Sequence, residues 1–267
     1  MSPEEYPPQE PLSPAARAYH AEVMRRGDFG AAEESAYGPD PHQRVLVWRA
    51  AKPVGALVAF IHGGGWTNGY KEWMAFMAPP FVDAGIAFAS IGYRLAPAHV
   101  FPAGFDDVRT GAALLVERAA SLDVATDRIF VGGHSAGGHY AALMAVTGKQ
   151  FRPRGCLPIS GVYDFGPASG LSTRPRFLGA EDSGNEQRAS PIANIGTKPP
   201  PFLIAHGSDD FPHLMDQAAR MESALRAAGG EVERIVLPGR NHFSASYAGG
   251  EPAGPWVPRA IAWILQN

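Results

Sequence analysis

The 267-residue sequence predicts one α/β domain with a mostly parallel central sheet and helices on both of its faces. Short apolar runs such as GALVAFIHGGG and GIAFASIGY alternate with amphipathic segments along nearly the whole chain. Several of these runs are apolar throughout, as strands buried on both faces are, and they stop at glycines. There is no internal repeat and no sign of a second domain. The active site of such a fold is expected where loops follow the carboxyl ends of the strands.

The first 42 residues are predicted to form an arm and a helix that can contribute to a cap over the main domain. Five prolines among residues 1–14 predict a loose arm. The segment SPAARAYHAEVMRRG then predicts a helix with Ser13 as its N-cap, Pro14 in the first position and Gly27 at its end.

Residues 43–267 are predicted to form the main domain. Its strands are expected in QRVLVWRA, GALVAFIHGGG, GIAFASIGY, RIFVGGHSAGG, GCLPISGVYDF, PPFLIAHGSDD and EVERIVLPG. Helices are expected in FDDVRTGAALLVERAA, AGGHYAALMAVTG, HLMDQAARMESALRAAGG and GPWVPRAIAWILQN, with a further helical stretch in KEWMAFMAPPFVDAG that Pro79 and Pro80 interrupt. Residues 162–200 have no strong periodicity, so they are predicted to be an insert that forms a small cap.

Composition narrows the range of functions. The net charge of −3 and the absence of a basic cluster argue against a nucleic-acid partner. The N-terminal residues lack a signal-peptide pattern, and no apolar run is long enough to span a membrane, so we expect a cytoplasmic protein without a membrane partner. The single cysteine, Cys156, is expected in the core. No metal-binding pattern is present, so no metal or cofactor is predicted, and the oligomeric state is left open.

The segment VGGHSAGGHY carries the strongest functional signal. Ser135 stands between Gly133 and Gly137, after a predicted strand and before a predicted helix. This is the context of a nucleophile elbow, a tight turn that exposes a serine hydroxyl above the sheet. The alternative, a glycine-rich turn with an incidental serine, does not require the flanking strand and helix. Ser135 is therefore predicted to be a catalytic nucleophile.

A serine nucleophile needs a base and an orienting acid. His242 follows the last predicted strand, where a side chain can reach the sheet's carboxyl edge, so it is the predicted base. The acid is expected between the serine and the histidine in the chain. Asp210 in AHGSDDF is preferred and Asp209 is the competitor, with Asp164 third. Each of these carboxylates could instead be an exposed loop residue or a helix cap.

The glycines of FIHGGGW predict a loop whose backbone amides approach a substrate carbonyl. Gly64 and Gly65 are the predicted oxyanion donors, with the amide of Ala136 as a third. No phosphate-binding glycine pattern is present, which disfavours a phosphate loop. His62 is expected to be structural. Three aromatic residues are predicted to line the substrate site: Trp66, Phe165 and Phe243.

With these motifs identified, the chain from about residue 43 onward resembles an α/β-hydrolase of the hormone-sensitive-lipase-like group. HGGGW, GYRLAP followed by FPAGFDD, and GHSAG occur in that group's order, while SGVYDFGP and GRNHFS are similar to kynurenine formamidases and related small esterases. The resemblance implies an α/β-hydrolase fold and a triad of Ser135, Asp210 and His242, with the acid at the end of GSDD. It also implies that Tyr93 and Arg94 brace neighbouring loops. Residues 168–190 match no block of the group.

The sequence therefore predicts a serine hydrolase without a cofactor, acting on a small ester or amide. The expected substrate is a short-acyl carboxylic ester or an aryl formamide. The HGGG form resembles lipases and esterases, because many formamidases have an aromatic residue at the position of Gly65. Two alternatives remain: a non-catalytic binding protein with a hydrolase fold, and a peptidase on the same fold.

Overall fold

The structure, a computed structural model, describes residues 5–27, 29–30, 32–148, 151–171 and 174–267. Within these residues an eight-stranded sheet has the order β1-β2-β4-β3-β5-β6-β7-β8. The strands from β4 to β8 in this order are parallel to their neighbours, whereas β1 and β2 form an antiparallel edge. This confirms the predicted fold class. The strands are β1 Glu33–Ala36, β2 Arg44–Trp48, β3 Leu57–Ile61, β4 Ala87–Ile91, β5 Ile129–His134, β6 Cys156–Ile159, β7 Phe202–Asp209 and β8 Val232–Asn241.

Two apolar layers enclose the sheet, and successive residues of β3 enter them alternately. Helices α3, α4 and α7 pack on one face, and α1, α2, α8 and α9 on the other. Because both layers exclude water, β3, β4 and β5 are buried along their whole length, which explains their uninterrupted apolar sequences. The helices are α1 Pro14–Arg26, α2 Ala78–Asp83, α3 Ala103–Arg118, α4 Ala136–Thr147, α5 Arg174–Leu178, α6 Asn185–Ala189, α7 Pro212–Ala227, α8 His242–Tyr247 and α9 Val257–Gln266.

The local signals for helix ends agree with the structure. The Ser13 side chain accepts a hydrogen bond from the Ala16 amide, and Gly27 follows the last residue of α1. In KEWMAFMAPPFVDAG a 3₁₀ segment, Lys71–Met77, gives way to α2, and Pro79 and Pro80 lie in the first turn of α2, where a missing N–H costs no intrahelical hydrogen bond. Cys156 is fully buried, as predicted.

The prediction of a loose N-terminal arm is wrong for residues 5–13. Tyr6 is buried, and its hydroxyl donates to Glu72 Oε2 at 2.9 Å and accepts from Lys71 Nζ at 2.6 Å. The Gln9 side chain donates to the Gly69 carbonyl at 3.0 Å and accepts from the Gly69 amide at 2.8 Å. Prolines alone suggested disorder, but these polar side chains find buried partners 60 or more residues away. The arm is therefore fixed against the segment that follows HGGGW.

The insert at residues 162–200 contains short helical segments rather than a lid of long helices. Helices α5 and α6 are joined to short 3₁₀ turns at Glu181–Ser183 and Pro191–Asn194. A buried amide secures its centre, because Asn185 Nδ2 donates to the Leu178 carbonyl at 2.8 Å. Ser190 secures its start by accepting from the Phe165 amide at 2.9 Å. The insert thus packs closely onto the carboxyl edge of the sheet.

Tyr6→Phe is expected to lower the free energy of unfolding by about 1–3 kcal/mol, because it leaves Lys71 and Glu72 buried without the hydroxyl that lies between them. Urea-induced unfolding, followed by intrinsic fluorescence, measures this change. Tyr247→Phe is the control, since the Tyr247 hydroxyl has no hydrogen bond with any described residue, and a change below about 0.5 kcal/mol is expected. Equal effects of the two substitutions would contradict the anchoring role of Tyr6.

Candidate active site

A strained turn between β5 and α4 positions Ser135. Its backbone angles are φ 56° and ψ −117°, a region that non-glycine residues rarely adopt. A Cβ atom at Gly137 would overlap the Ile61 carbonyl of β3, and one at Gly133 would overlap the Gly137 backbone. The two glycines are therefore required for the turn to close, as the spacing of GHSAG predicted.

The structure brings the side chains of Ser135, His242 and Asp210 into one hydrogen-bonded chain. Ser135 Oγ lies 2.9 Å from His242 Nε2, and His242 Nδ1 lies 2.9 Å from Asp210 Oδ1. These residues follow β5, β8 and β7, so three strand ends at the same edge of the sheet supply the group. A hydroxyl, an imidazole and a carboxylate in this order can transfer a proton from the hydroxyl to the imidazole.

The environment of Asp210 keeps its carboxylate ionised. Burial raises the pKa, but the hydrogen bond and charge of His242 outweigh it, together with hydrogen bonds from the Ser160 hydroxyl and the Phe211 amide, and lower the pKa of Asp210 to about 2. The competing carboxylates lie elsewhere. Asp209 is exposed and contacts Ser208, whereas Asp164 pairs with Arg220 at 2.8 Å.

Ser160 is a site residue that the sequence reasoning missed. Its hydroxyl donates to Asp210 Oδ2 at 2.5 Å, and its backbone φ of 51° lies in the left-handed region. It follows directly on β6, whose carboxyl end reaches the same edge of the sheet as β5 and β7. That position in SGVYDF was the available signal, since hydroxyl side chains at such strand ends can contact the loops beside them.

The backbone around His242 is fixed by a cap at the start of α8. The Asn241 side chain accepts from the Ser244 amide at 2.9 Å, and the Ser244 hydroxyl accepts from the Asn241 amide at 2.9 Å. This capping box satisfies two amides that the helix itself leaves without acceptors. The imidazole therefore projects from an ordered helix start rather than from an open loop.

The glycine loop after β3 adopts the shape that the predicted oxyanion donors require. Gly64 and Gly65 have φ angles of 112° and 61°, and a Cβ at Gly64 would overlap the Asn68 carbonyl. Within the described part of the chain, no backbone carbonyl accepts from either amide. Ala136, the third predicted donor, is the first residue of α4, where amides lack intrahelical acceptors.

A cavity of about 620 Å³ opens over Ser135. Trp66 and Phe243 line it, but Phe165 does not: it is fully buried behind Trp66, with 5.3 Å between the ring centroids. The prediction for Phe165 is wrong because its ring packs in the core, against His139 and Phe177 as well as Trp66. The cavity-lining residues that were not predicted include residues of the arm and α1 (Glu10, Pro11, Leu12, Ser13, Ala16, Tyr19) and of the insert (Val162, Gly170, Leu171, Arg176).

The remaining residues of the glycine and GYRLAP motifs are structural, as expected. His62 is buried and stacks on Tyr93 at 4.2 Å, and burial lowers its pKa to about 3. Arg94 binds Asp107 through both its Nε and Nη2 atoms, at 2.8 and 2.7 Å. Across the residues that are described, no cluster of His, Cys, Asp and Glu is arranged to hold a metal ion, and no helix is long and apolar enough to cross a bilayer.

Comparison with known proteins agrees with this architecture. A family model described as alpha/beta hydrolase fold matches residues 58–245. Esterase LipC of Mycobacterium tuberculosis is 32% identical over 260 residues, which cover 86% of this chain and 64% of LipC. A kynurenine formamidase of Salmo salar is 25% identical over 197 residues, covering 70% of this chain and 66% of that protein. The chain thus spans slightly less than two thirds of the length of these relatives.

Solved structures agree as well. A hyperthermophilic esterase from the archaeon Pyrobaculum calidifontis superposes with a TM-score of 0.77 at 22% identity, over 94% of this chain and 89% of that one. At this level of identity the agreement concerns the fold.

Asp210→Asn is expected to lower kcat by roughly 10³- to 10⁴-fold, because an amide cannot hold the imidazole in the tautomer and charge state that proton transfer requires. Asp209→Asn is the matched control, since the exposed side chain of Asp209 is hydrogen-bonded to Ser208 and to no other described residue; a change below about threefold is expected. Initial rates with p-nitrophenyl acetate measure both variants. A larger loss in Asp209→Asn than in Asp210→Asn would reverse the assignment.

Proposed function

We propose that this chain, which belongs to the α/β-hydrolase fold family, is a serine hydrolase that cleaves short-acyl carboxylic esters or aryl formamides through a covalent acyl-enzyme. The observation that carries the proposal is the hydrogen-bonded chain from Ser135 through His242 to Asp210, with both its distances at 2.9 Å. Ser135 and His242 both line a cavity large enough for a small substrate.

In the proposed first half-reaction, Ser135 Oγ attacks the substrate carbonyl carbon while His242 Nε2 accepts the hydroxyl proton. Asp210 stabilises the resulting imidazolium. The amides of Gly64, Gly65 and Ala136 donate to the oxyanion of the tetrahedral intermediate. The bond from the carbonyl carbon to the leaving oxygen or nitrogen then breaks, and the leaving group takes the proton from His242.

The second half-reaction releases the acyl group. A water molecule gives a proton to His242 Nε2 and attacks the acyl carbon, which forms a second tetrahedral intermediate held by the same amides. When this intermediate collapses, the ester bond to Ser135 breaks and Ser135 Oγ recovers the proton from His242. The carboxylic acid leaves, and no cofactor takes part in either half.

The residues that line the cavity favour a small substrate. The arm, α1 and the insert together cover the site, and we propose that they form its cap. Leu12, Tyr19 and Trp66 supply apolar walls, while Glu10 and Arg176 form an ion pair at 2.6 Å between the arm and the insert. The pair links the two parts of the cap directly. Relatives named as esterases and as kynurenine formamidases support the two substrate classes.

Ser135→Ala is expected to reduce turnover by ~10⁴- to 10⁶-fold, because the hydroxyl that forms the acyl-enzyme is lost. The variant should also escape labelling by a fluorophosphonate probe, whereas the unmodified protein is labelled. Ser223→Ala, which removes a hydroxyl from the exposed surface of α7, should change neither result. Labelling of the Ser135→Ala protein, or failure to label the unmodified one, would reject the proposed nucleophile and favour a binding protein.

The dependence of activity on acyl chain length tests the proposed preference for short acyl groups. In a series of p-nitrophenyl esters with a constant leaving group, kcat/KM is expected to peak between formyl and butyryl and to decline beyond about six carbons. Each methylene that fits contributes up to ~0.8 kcal/mol, and the decline is expected where the acyl chain meets the arm and the insert that line the cavity. N-formylkynurenine in the same panel compares formamide with ester. A maximum at dodecanoyl esters would reveal a deep acyl channel and contradict the proposed size limit.

A further inference from the structure

We propose that His134 is a positioning residue that holds the backbone of the base, His242, beside the nucleophile elbow. His134 directly precedes Ser135 and points toward the segment that carries His242. Its Nε2 atom lies 2.9 Å from the His242 carbonyl oxygen, across 108 residues of sequence. The inference rests on the proposed function, because it assigns His134 a role in the same proton transfer.

This hydrogen bond adds a third link to His242. The imidazole of His242 is already held at Nδ1 by Asp210 and at Nε2 by Ser135, and both links act on the side chain. His134 acts instead on the main chain from which that side chain projects. Since His134 belongs to β5 and adjoins Ser135, the link ties the base directly to the element that positions the nucleophile.

The hydrogen bonds of the two ring nitrogens indicate why a histidine occupies position 134. A carbonyl oxygen only accepts hydrogen bonds, so the Nε2 atom of His134 must carry the proton. The Nδ1 atom is then an acceptor, and it is buried without a hydrogen-bond partner among the described residues. An apolar side chain would avoid the cost of that unsatisfied atom. The bond to His242 is the interaction that an apolar replacement could not make.

The ring of His134 is enclosed by the glycine loop, α1 and His242. A Cβ atom at Gly63 would lie 3.1 Å from His134 Nδ1 and 2.9 Å from the His134 carbonyl oxygen. The ring also packs against Tyr19 of α1, with 5.7 Å between centroids, and against His242, at 5.0 Å. The glycine loop, the elbow and the base therefore meet at this one imidazole.

The Nε2 atom of His134 can donate to the His242 carbonyl whether the ring is neutral or charged, but a neutral ring is what suits its place beside the base. Burial lowers the pKa of His134 to about 3, and the nearby charge of His242 lowers it further, against the opposing effects of the His242 carbonyl and of Asp210. Among the described residues, Tyr19, His242 and Asp210 are the titratable groups that face or act on the His134 ring, and His213 is a further neighbour of His242. A neutral His134 lets His242 become an imidazolium 5.0 Å away without repulsion.

The test compares a donor with a non-donor of similar length. His134→Gln keeps an N–H that can reach the His242 carbonyl, whereas His134→Met fills similar space without one. We expect kcat to fall about 10- to 100-fold in His134→Met with KM changed less than twofold, since small misplacement of a reacting group mainly reduces the rate of chemistry. His134→Gln should recover to within about threefold of the unmodified protein. Rates are measured with p-nitrophenyl acetate.

A buried histidine elsewhere supplies the matched control. His206 of β7 is also buried, and its Nδ1 lies 2.9 Å from a backbone carbonyl, that of Gly207. His206→Met and His206→Gln should both leave kcat within about twofold. Equal kcat values for His134→Met and His134→Gln, or a loss in KM rather than in kcat, would overturn the positioning role.

A measurement on the unmodified protein covers the case in which His134→Met does not fold. In protein labelled with ¹⁵N-histidine, His134 should give the signals of a neutral ring protonated at Nε2, unchanged between pH 5 and pH 9. Those signals should shift when a phosphonate modifies Ser135. Protonation at Nδ1, or titration of His134 in that range, would refute the inference. The tautomer is observed whether or not the protein hydrolyses any ester, so failure of the proposed function is a separate result.

Discussion

The contact between the elbow and the neighbouring strand β3 is the constraint on which the site depends. Gly137 lies so close to the Ile61 carbonyl that no side chain fits between them, and this closeness forces Ser135 to a positive φ. The strained turn is held in place because β5 and β3 are paired and buried on both faces. The sheet therefore supplies the rigidity that keeps a hydroxyl exposed at its edge.

The proposed base and acid depend on that same edge. His242 and Asp210 follow β8 and β7, and their imidazole and carboxylate reach Ser135 because parallel strands end together. Each is then fixed locally: Asp210 by Ser160 and the Phe211 amide, and His242 by the capping box of α8. The proposed role of His134 extends this pattern, because it links the base to the elbow without passing through either reacting atom.

The proposed cap consists of two segments that are distant in sequence. The N-terminal arm reaches the cavity because Tyr6 and Gln9 bind the stretch that follows the glycine loop. Lys71 has a fully buried side chain there and pairs with Glu72 at 2.6 Å, a charge that would be costly without these partners. The arm is thus attached by buried polar contacts, whereas its link to the insert, the pair of Glu10 and Arg176, is largely exposed and contributes little to stability.

Spacing within a few residues was enough to predict the fold class, the elbow at Ser135, the position of His242 and the ends of α1. It preferred Asp210 over Asp209 by pattern, and only the tertiary structure separated them, by placing one carboxylate beside His242 and the other in solvent. Strand β1, the fixed arm, Ser160 and the burial of Phe165 were not foreseen. Strand β1 has the polar sequence EESA and is recognisable only by its pairing with β2. The other three depend on partners many residues away, which chain folding brings together and which no local pattern encodes.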